Sequence, residues 1–181
     1  MSSGIPLVLD ISMTQADNLI YDKPGHLIRR LQQIAAAIFM NETKAFDITP
    51  VQYAALLAID LHPGVDQTAL VNIIAFDRST IGDVAERLIA KGLVRRARGT
   101  IDRRTKVLNI TPAGRALLSK IEPAVQSAQK LIVAPLRPNE RKLFLNMMKR
   151  LVNINNAHSR APRRTNESRN RTDRAARRQP G

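Results

Sequence analysis

Four helix-start signals divide the middle of the chain into short helical segments. Threonine–proline pairs occur at 49–50 and 111–112, and a polar N-cap followed by proline in the first turn is typical of a helix start. Asp66 and Asp77 are also of the N-cap type, and each precedes a stretch with helical spacing of its apolar positions. The signals predict a mainly α-helical protein.

Apolar residues follow helical spacing in about six segments. Between the fourth and fifth segments, the strand-like stretches LVRRARG and TKVLNI predict a hairpin with a short charged tip. The fold class we predict is therefore mainly α with a small β-hairpin. The expected helices cover residues 27–44, 50–61, 67–76, 78–90 and 112–132, and a sixth follows Pro138.

The chain carries a large positive charge. Its 181 residues include 29 Lys and Arg against 15 Asp and Glu, a formal net charge of +14, which favours polyanionic partners. It has no Cys, and its three His residues lie far apart, so we predict no metal and no cofactor. No apolar run approaches the ~20 residues that cross a bilayer, so we expect a cytoplasmic protein that does not contact membranes.

Much of the charge lies at residues 78–106, which include nine basic and three acidic residues. A pair of helices followed by a two-stranded hairpin is the winged helix-turn-helix arrangement, in which the second helix of the pair enters the major groove of duplex DNA. We predict that residues 78–90 are this recognition helix. Its predicted DNA-facing residues are Arg78, Ser79, Thr80 and Arg87, whose side chains suit phosphates and base edges.

The hairpin tip lies in the stretch GTIDRRTKVLNITPAG and places Asp102, Arg103 and Arg104 side by side. An arginine at this tip can enter the narrow minor groove beside the recognition helix. Asp102 lies two positions before Arg104 and can pair with it, which would fix the direction of the guanidinium before DNA binds. The alternative is that these are solvated charges on an ordinary surface hairpin.

The stretch RSTIGDVAERLIAKGLVRRARGTIDRRTKVLNITPAGRALL, residues 78–118, resembles the MarR family of bacterial transcription regulators. A common form of the family's wing has a further acidic residue before the DRR motif, where this chain has Gly99, Thr100 and Ile101. The resemblance implies that Arg78, Ser79, Thr80 and Arg87 face the major groove, that Asp102 and Arg104 form the wing pair, and that Arg103 supports it.

The same resemblance implies a homodimer that straddles a palindromic operator, with the first, fifth and sixth helices at the subunit interface. The sixth helix independently carries an apolar stripe that one domain would struggle to cover, which agrees with a second subunit. The stripe consists of Leu143, Phe144, Met147, Met148, Leu151 and Val152.

We expect three parts along the chain. Residues 1–24 form an N-terminal arm with a turn near Pro24 and Gly25, and residues 25–156 form the MarR-like domain. Residues 157–181 hold eight Arg against two acidic residues and almost no large apolar side chains, so they form a basic, disordered tail. Within the domain, the winged module spans about 50–111, and the dimerisation helices span about 25–47 and 112–156.

The stretch PGHLIRRLQQI, residues 24–34, is similar to the first helix of MarR regulators of aromatic-acid breakdown, including nicotinate-pathway repressors. This implies a small aromatic carboxylate as effector. His26 and Arg30 share one helix side, where a half-buried Arg30 could meet the carboxylate, and Tyr53 could stack on the ring or hydrogen-bond to it. The alternatives are a solvated face or dimer contacts for His26, Arg29 and Arg30, and a core position for Tyr53.

These interpretations predict a homodimeric repressor of a catabolic operon, acting on the nucleoid in the bacterial cytoplasm and released from its operator by an aromatic carboxylate. The alternative is a nonspecific architectural or RNA-binding protein that acts through its Arg-rich tail. The sequence has no Ser/His/Asp, Cys/His, metal or phosphate-loop pattern, so we predict that the protein is not an enzyme.

Overall fold

The structure is a computed structural model that describes residues 20–99 and 104–159. Over these residues it confirms the predicted class, with six helices of eight residues or more and a small antiparallel sheet. No helix among them has the length and apolar character needed to cross a membrane. In chain order the elements are α1 (Pro24–Glu42), α2 (Pro50–Leu61), β1 (Val65–Asp66), α3 (Gln67–Ile74), α4 (Arg78–Ala90), β2 (Val94–Arg98), β3 (Lys106–Ile110), α5 (Pro112–Ile132) and α6 (Pro138–Ile154).

All four predicted N-caps are confirmed. Thr49 and Gln52 form a reciprocal capping box at the start of α2, in which each side chain accepts a hydrogen bond from the other residue's backbone N–H. Asp66, Asp77 and Thr111 each accept one from the backbone N–H three residues on, at 2.8 to 3.1 Å. The helix starts are therefore encoded locally, by residues at the starts themselves.

The turn predicted near Pro24 and Gly25 lies just before them, at Asp22, where the backbone N–H of Lys23 donates to the carbonyl of Ile20 at 3.2 Å, and α1 already begins at Pro24. Proline is tolerated in the first turn of a helix, where its missing N–H would have no helical partner. The helix therefore starts three residues before Leu27, its predicted start, and His26 lies in its first turn.

The sheet has three strands in the order β1–β3–β2, all antiparallel. Val94 pairs with Ile110 across the predicted hairpin. Val65, in the strand that the sequence analysis missed, pairs with Leu108. A two-residue strand shows no alternation in the sequence, and its partner lies some forty residues further on, so no local pattern could indicate it. The strand joins the wing to the start of α3.

The main core lies inside the winged module. The predicted apolar stripe of α4 is confirmed, and it packs against α2, α3 and the sheet. A second layer consists of α1 lying along α5, with Phe39 as the only fully buried residue of α1. Fully buried side chains of the module include Leu56, Ile59, Leu70, Ile81, Leu88, Val94 and Leu108, and those of α5 include Ile121, Val125 and Ala128.

Helix α6 buries none of its side chains in the described part of the chain. Five members of the predicted stripe are exposed, and the sixth, Phe144, is half-buried. The exposed fractions are 55% for Leu143, 53% for Met147, 40% for Met148, 55% for Leu151 and 63% for Val152, and Ile154, outside the predicted stripe, is 73% exposed. Exposed apolar patches of this size are rare on monomeric proteins, so the stripe marks a contact surface.

Candidate nucleic-acid interface

The recognition helix α4 has two clearly different sides. Its apolar side is fixed in the core by Ile81, Val84, Ala85 and Leu88, all of them buried. Because residues three and four apart share a helix face, the opposite side is left open. The exposed residues of this side are Arg78, Ser79, Asp83, Glu86 and Arg87, while Thr80 is half-buried. The predicted DNA-facing residues therefore lie along one edge of the winged module.

Asp77 organises the leading end of α4. The Ser79 hydroxyl donates to Oδ1 of Asp77 at 2.7 Å, and the Thr80 hydroxyl donates to Oδ2 at 2.6 Å. These hydrogen bonds, led by that of Ser79, hold the pKa of the Asp77 carboxyl well below its usual range. Since both hydroxyl protons are committed to Asp77, Ser79 and Thr80 offer acceptor lone pairs outward. They therefore suit donor groups on base edges better than phosphate oxygens.

An open groove of about 300 Å³ runs between the start of α2 and the exposed side of α4. Arg87 lines it from α4, and the N-terminus of α2 contributes the partial positive charge of a helix dipole. Both features favour a polyanion, whereas the Asp83 carboxylate in the same lining opposes one. The groove is lined by Thr49, Val51, Gln52, Thr80, Asp83, Val84 and Arg87.

The wing is held directly beside the recognition helix. Arg96 of β2 forms an ion pair with Glu86 of α4. At the base of the tip, the backbone N–H of Gly99 donates to the carbonyl of Thr105 at 2.8 Å. Arg96 is not among the predicted site residues, because strand alternation alone cannot show that its side chain meets a helix residue ten positions earlier.

Arg104 is exposed at the end of the wing. Asp102 and Arg103 lie outside the described residues, so the predicted pairing of Asp102 with Arg104 stays a prediction. Arg98 of β2 is exposed two positions after Arg96, and since side chains alternate along a strand it extends the basic surface beside α4 towards the tip, whereas Arg95 lies on the other face of the strand. The wing and the recognition helix together present cations to one side of the module.

Tyr53 lies where α2 meets α1 and α5. Its ring centroid is 5.8 Å from that of Phe39, and its hydroxyl donates to Oε2 of Glu122 at 3.1 Å. Burial raises the pKa of Tyr53 to about 12, with a further contribution from Glu122. Tyr53 is therefore half-buried beside the core, with its polar end at the junction of the two layers.

The other two predicted effector residues lie near the start of α1. The Tyr21 ring meets His26 edge-on at 5.2 Å, and the Nε2 atom of His26 is buried without a hydrogen-bond partner in the described part of the chain. Arg30 is exposed, whereas the prediction was a half-buried side chain. The apolar stripe of α1, at whose edge Arg30 lies, is itself exposed to solvent. Among the described residues, no hydrogen bond, ion pair or ring contact joins either His26 or Arg30 to Tyr53.

A recognition helix, capped and packed beside a three-stranded wing with basic strands, defines a DNA-binding transcriptional regulator of the winged helix class. Residues 46–105 match the MarR family. The chain is 31% identical over 144 residues to the HTH-type transcriptional repressor NicR of Pseudomonas putida, which covers 78% of this chain and 91% of NicR. The chain belongs to the MarR family, and it is a transcriptional regulator rather than an enzyme, as predicted.

Two solved structures have the same fold. Bordetella bronchiseptica BpsR, whose DNA binding is regulated by 6-hydroxynicotinic acid, superposes with a TM-score of 0.69 at 28% identity, covering 72% of this chain and 94% of BpsR. The PcaV transcriptional regulator of Streptomyces coelicolor, in complex with its natural ligand, gives a TM-score of 0.68 at 30% identity, covering 78% of this chain and 98% of PcaV.

Proposed function

We propose that this regulator is a homodimeric repressor that binds a palindromic operator and leaves it when a small aromatic carboxylate binds. The observation that carries the proposal is the contact between Glu86 and Arg96, which mounts the wing beside α4 so that both can reach one face of a duplex. In this arrangement Arg78, Ser79, Thr80 and Arg87 face the major groove, and Asp102, Arg103 and Arg104 approach the minor groove.

The dimer is supported by the uncovered apolar residues of two helices. The stripe on α6 is joined by Leu27 and Ile28 on α1, which are 53% and 61% exposed. A second copy would bury these side chains and gain roughly 25 cal/mol for each Å² removed from water. The proposed dimerisation region is therefore residues 25–47 with 112–156, and the winged module of residues 50–111 projects from it. Two recognition helices about 34 to 36 Å apart would fit successive major grooves.

The effector is supported by the chemistry of three side chains and by the ligand of BpsR. Arg30 can pair with a carboxylate, the Tyr53 hydroxyl can donate to one, and His26 has a ring nitrogen without a partner among the described residues. We infer that the operator controls genes for the breakdown of such an acid. The repressor would then act on the nucleoid, in the bacterial cytoplasm.

The proposal is tested by footprinting the DNA upstream of the protein's own gene, with and without benzoate, salicylate and nicotinate. We expect protection of a palindrome that at least one of these acids removes. Arg30→Ala should abolish the response and leave affinity for DNA within about twofold. Arg29→Ala is the matched control and should respond normally. If Arg30→Ala gave a normal dose response, the effector site would lie elsewhere, and protection without sequence preference would exclude a specific repressor.

A further inference from the structure

Two polar contacts join α2 of the winged module to α5 of the dimerisation region. The Tyr53 hydroxyl donates to Glu122 at 3.1 Å, and Nε of Arg115 donates to Oδ1 of Asp60 at 2.9 Å. The contacts are seven residues apart on each helix, which is two turns or about 10.5 Å. Since the order of the partners is reversed on α5, the two helices run antiparallel and are joined at two separate points.

Both oxygens of the Glu122 carboxylate are held by donors. Tyr53 donates to Oε2, and Nε2 of Gln126 donates to Oε1 at 2.7 Å. The Tyr53 ring packs on the buried Phe39 ring at 5.8 Å, which holds the side chain that carries the phenol donor in position. Two neutral donors, one of them on a half-buried aromatic ring, suit the carboxylate of an aromatic acid, and one carboxylate already occupies them.

We infer that Glu122 is an internal competitor of the effector, a side-chain carboxylate held in the position that the carboxylate of an aromatic acid takes on Tyr53 and Gln126. The inference rests on the proposed effector function of Tyr53. Two carboxylates cannot share these donors, because their like charges repel at hydrogen-bonding distance. The effector therefore displaces Glu122 when it binds.

Displacement changes how the two layers are joined. The contact at the Tyr53 end of α2 opens, while the contact between Asp60 and Arg115 persists two turns away. The winged module can then turn about the remaining contact, which alters the separation of the two recognition helices. The DNA-bound form keeps Glu122 in place. By linkage, DNA lowers the affinity for the effector by the same factor by which the effector lowers the affinity for DNA.

The test compares the affinity of the full chain for benzoate, salicylate and nicotinate by titration calorimetry. Glu122→Gln removes the competing charge at nearly constant size, and we expect about a tenfold lower Kd for the acid that releases the operator. Asp60→Asn is the comparison for loosening, because it breaks the other contact between α2 and α5 and leaves Glu122 in place. Its Kd should fall clearly less than that of Glu122→Gln.

A double-variant cycle separates competition from a merely structural effect. Tyr53→Phe removes the shared donor, so the gain from Glu122→Gln should vanish in that background. Equal Kd values for wild type and Glu122→Gln would overturn the inference and leave the proposed effector function intact. A gain in Asp60→Asn equal to that in Glu122→Gln would also overturn it, since loosening alone would then explain the effect. If neither wild type nor Glu122→Gln bound any of the acids, the effector function itself would fail.

Discussion

Gly114 lies where α5 begins against the wing. A Cβ atom there would clash with the carbonyl oxygen of Leu93 and lie 2.7 Å from Cγ1 of Ile110. The neighbouring Thr111 hydroxyl donates to the carbonyl of Gly92 at 2.7 Å, so the backbone at this point cannot move away freely. A side chain at position 114 would therefore push the dimerisation helix away from the winged module.

We expect Gly114→Ala to lower the free energy of unfolding by about 1 to 3 kcal/mol, the usual cost of overpacking. Chemical denaturation measures it. The control is Gly25→Ala in α1, where a Cβ would meet nothing within 4 Å. Because alanine is the better helix former, Gly25→Ala should be neutral or stabilising by up to about 1 kcal/mol. If Gly114→Ala had the same free energy of unfolding as wild type, the packing of α5 against the wing would tolerate the added Cβ.

The ionisation of Tyr53 reports on Glu122. Burial, the largest cause, and then Glu122 raise the pKa of this phenol to about 12 from 10.0. A pKa that is higher in the folded state than in the unfolded state gives a contribution to stability that is complete below pH 10 and is lost as the pH rises towards 12.

In Glu122→Gln the pKa of Tyr53 should fall, but it should stay above 10 because burial remains. Tyrosinate absorbance measured against pH, in a Tyr21→Phe background with Tyr53 as the only phenol, gives the value. An unchanged pKa would show that the hydrogen bond to Glu122 is not kept in solution.

At the scale of the elements, the wing carries a prediction about affinity for DNA. We expect Arg104→Ala to weaken operator binding by about 1 to 3 kcal/mol, because a base-edge or minor-groove contact would be lost. Quantitative gel shifts at fixed salt concentration measure the change. Lys130→Ala, an exposed position in the last turn of α5, is the control and should bind as wild type does. Wild-type affinity in Arg104→Ala would remove the wing tip from the interface.

Helix α6 carries a prediction about assembly. Leu151→Glu places a charge in the exposed apolar stripe, so we expect dissociation into monomers and loss of cooperative operator protection. Light scattering after gel filtration determines the mass. Lys149→Glu alters the opposite side of the same helix and should remain dimeric. A dimeric Leu151→Glu would show that α6 lies outside the interface.

The elements differ in how far the sequence could predict them. The starts of α2, α3, α4 and α5 were predictable because each depends on a cap and a few following residues. The contacts that arrange the elements join distant positions, as Tyr53 and Glu122 do across 69 residues. The bonds of Ser79 and Thr80 to Asp77 were within reach of local reasoning, since they span two and three positions. The sequence does not decide between these bonds and contacts with DNA, because the same hydroxyls suit both.

At the scale of the whole molecule, removing the positive charge of the C-terminal tail distinguishes sequence-specific from nonspecific DNA binding. The predicted basic tail lies, except for its first three residues, outside the described part of the chain, and all eight of its Arg residues are within 160–181. Deleting residues 160–181 should preserve the preferred site and its footprint, because the recognition helix and the wing remain. Overall affinity should fall, and the logarithm of the affinity should depend less steeply on the logarithm of the salt concentration.

Titrations of operator and unrelated duplexes over a range of salt concentrations measure both quantities. Loss of most binding to both kinds of DNA, with no residual site preference, would instead favour the architectural or RNA-binding alternative.

Asp66 belongs to two elements, since it pairs with Val107 in the sheet and caps α3. The wing therefore cannot tilt without carrying α3 with it, and α3 is packed on α4. The winged module therefore keeps one shape. Evolution towards an operator with a different spacing between its half-sites would require substitutions in the helices outside this module. Substitutions on the DNA-facing side of α4 or in the wing would instead change which bases are preferred and leave the spacing unchanged.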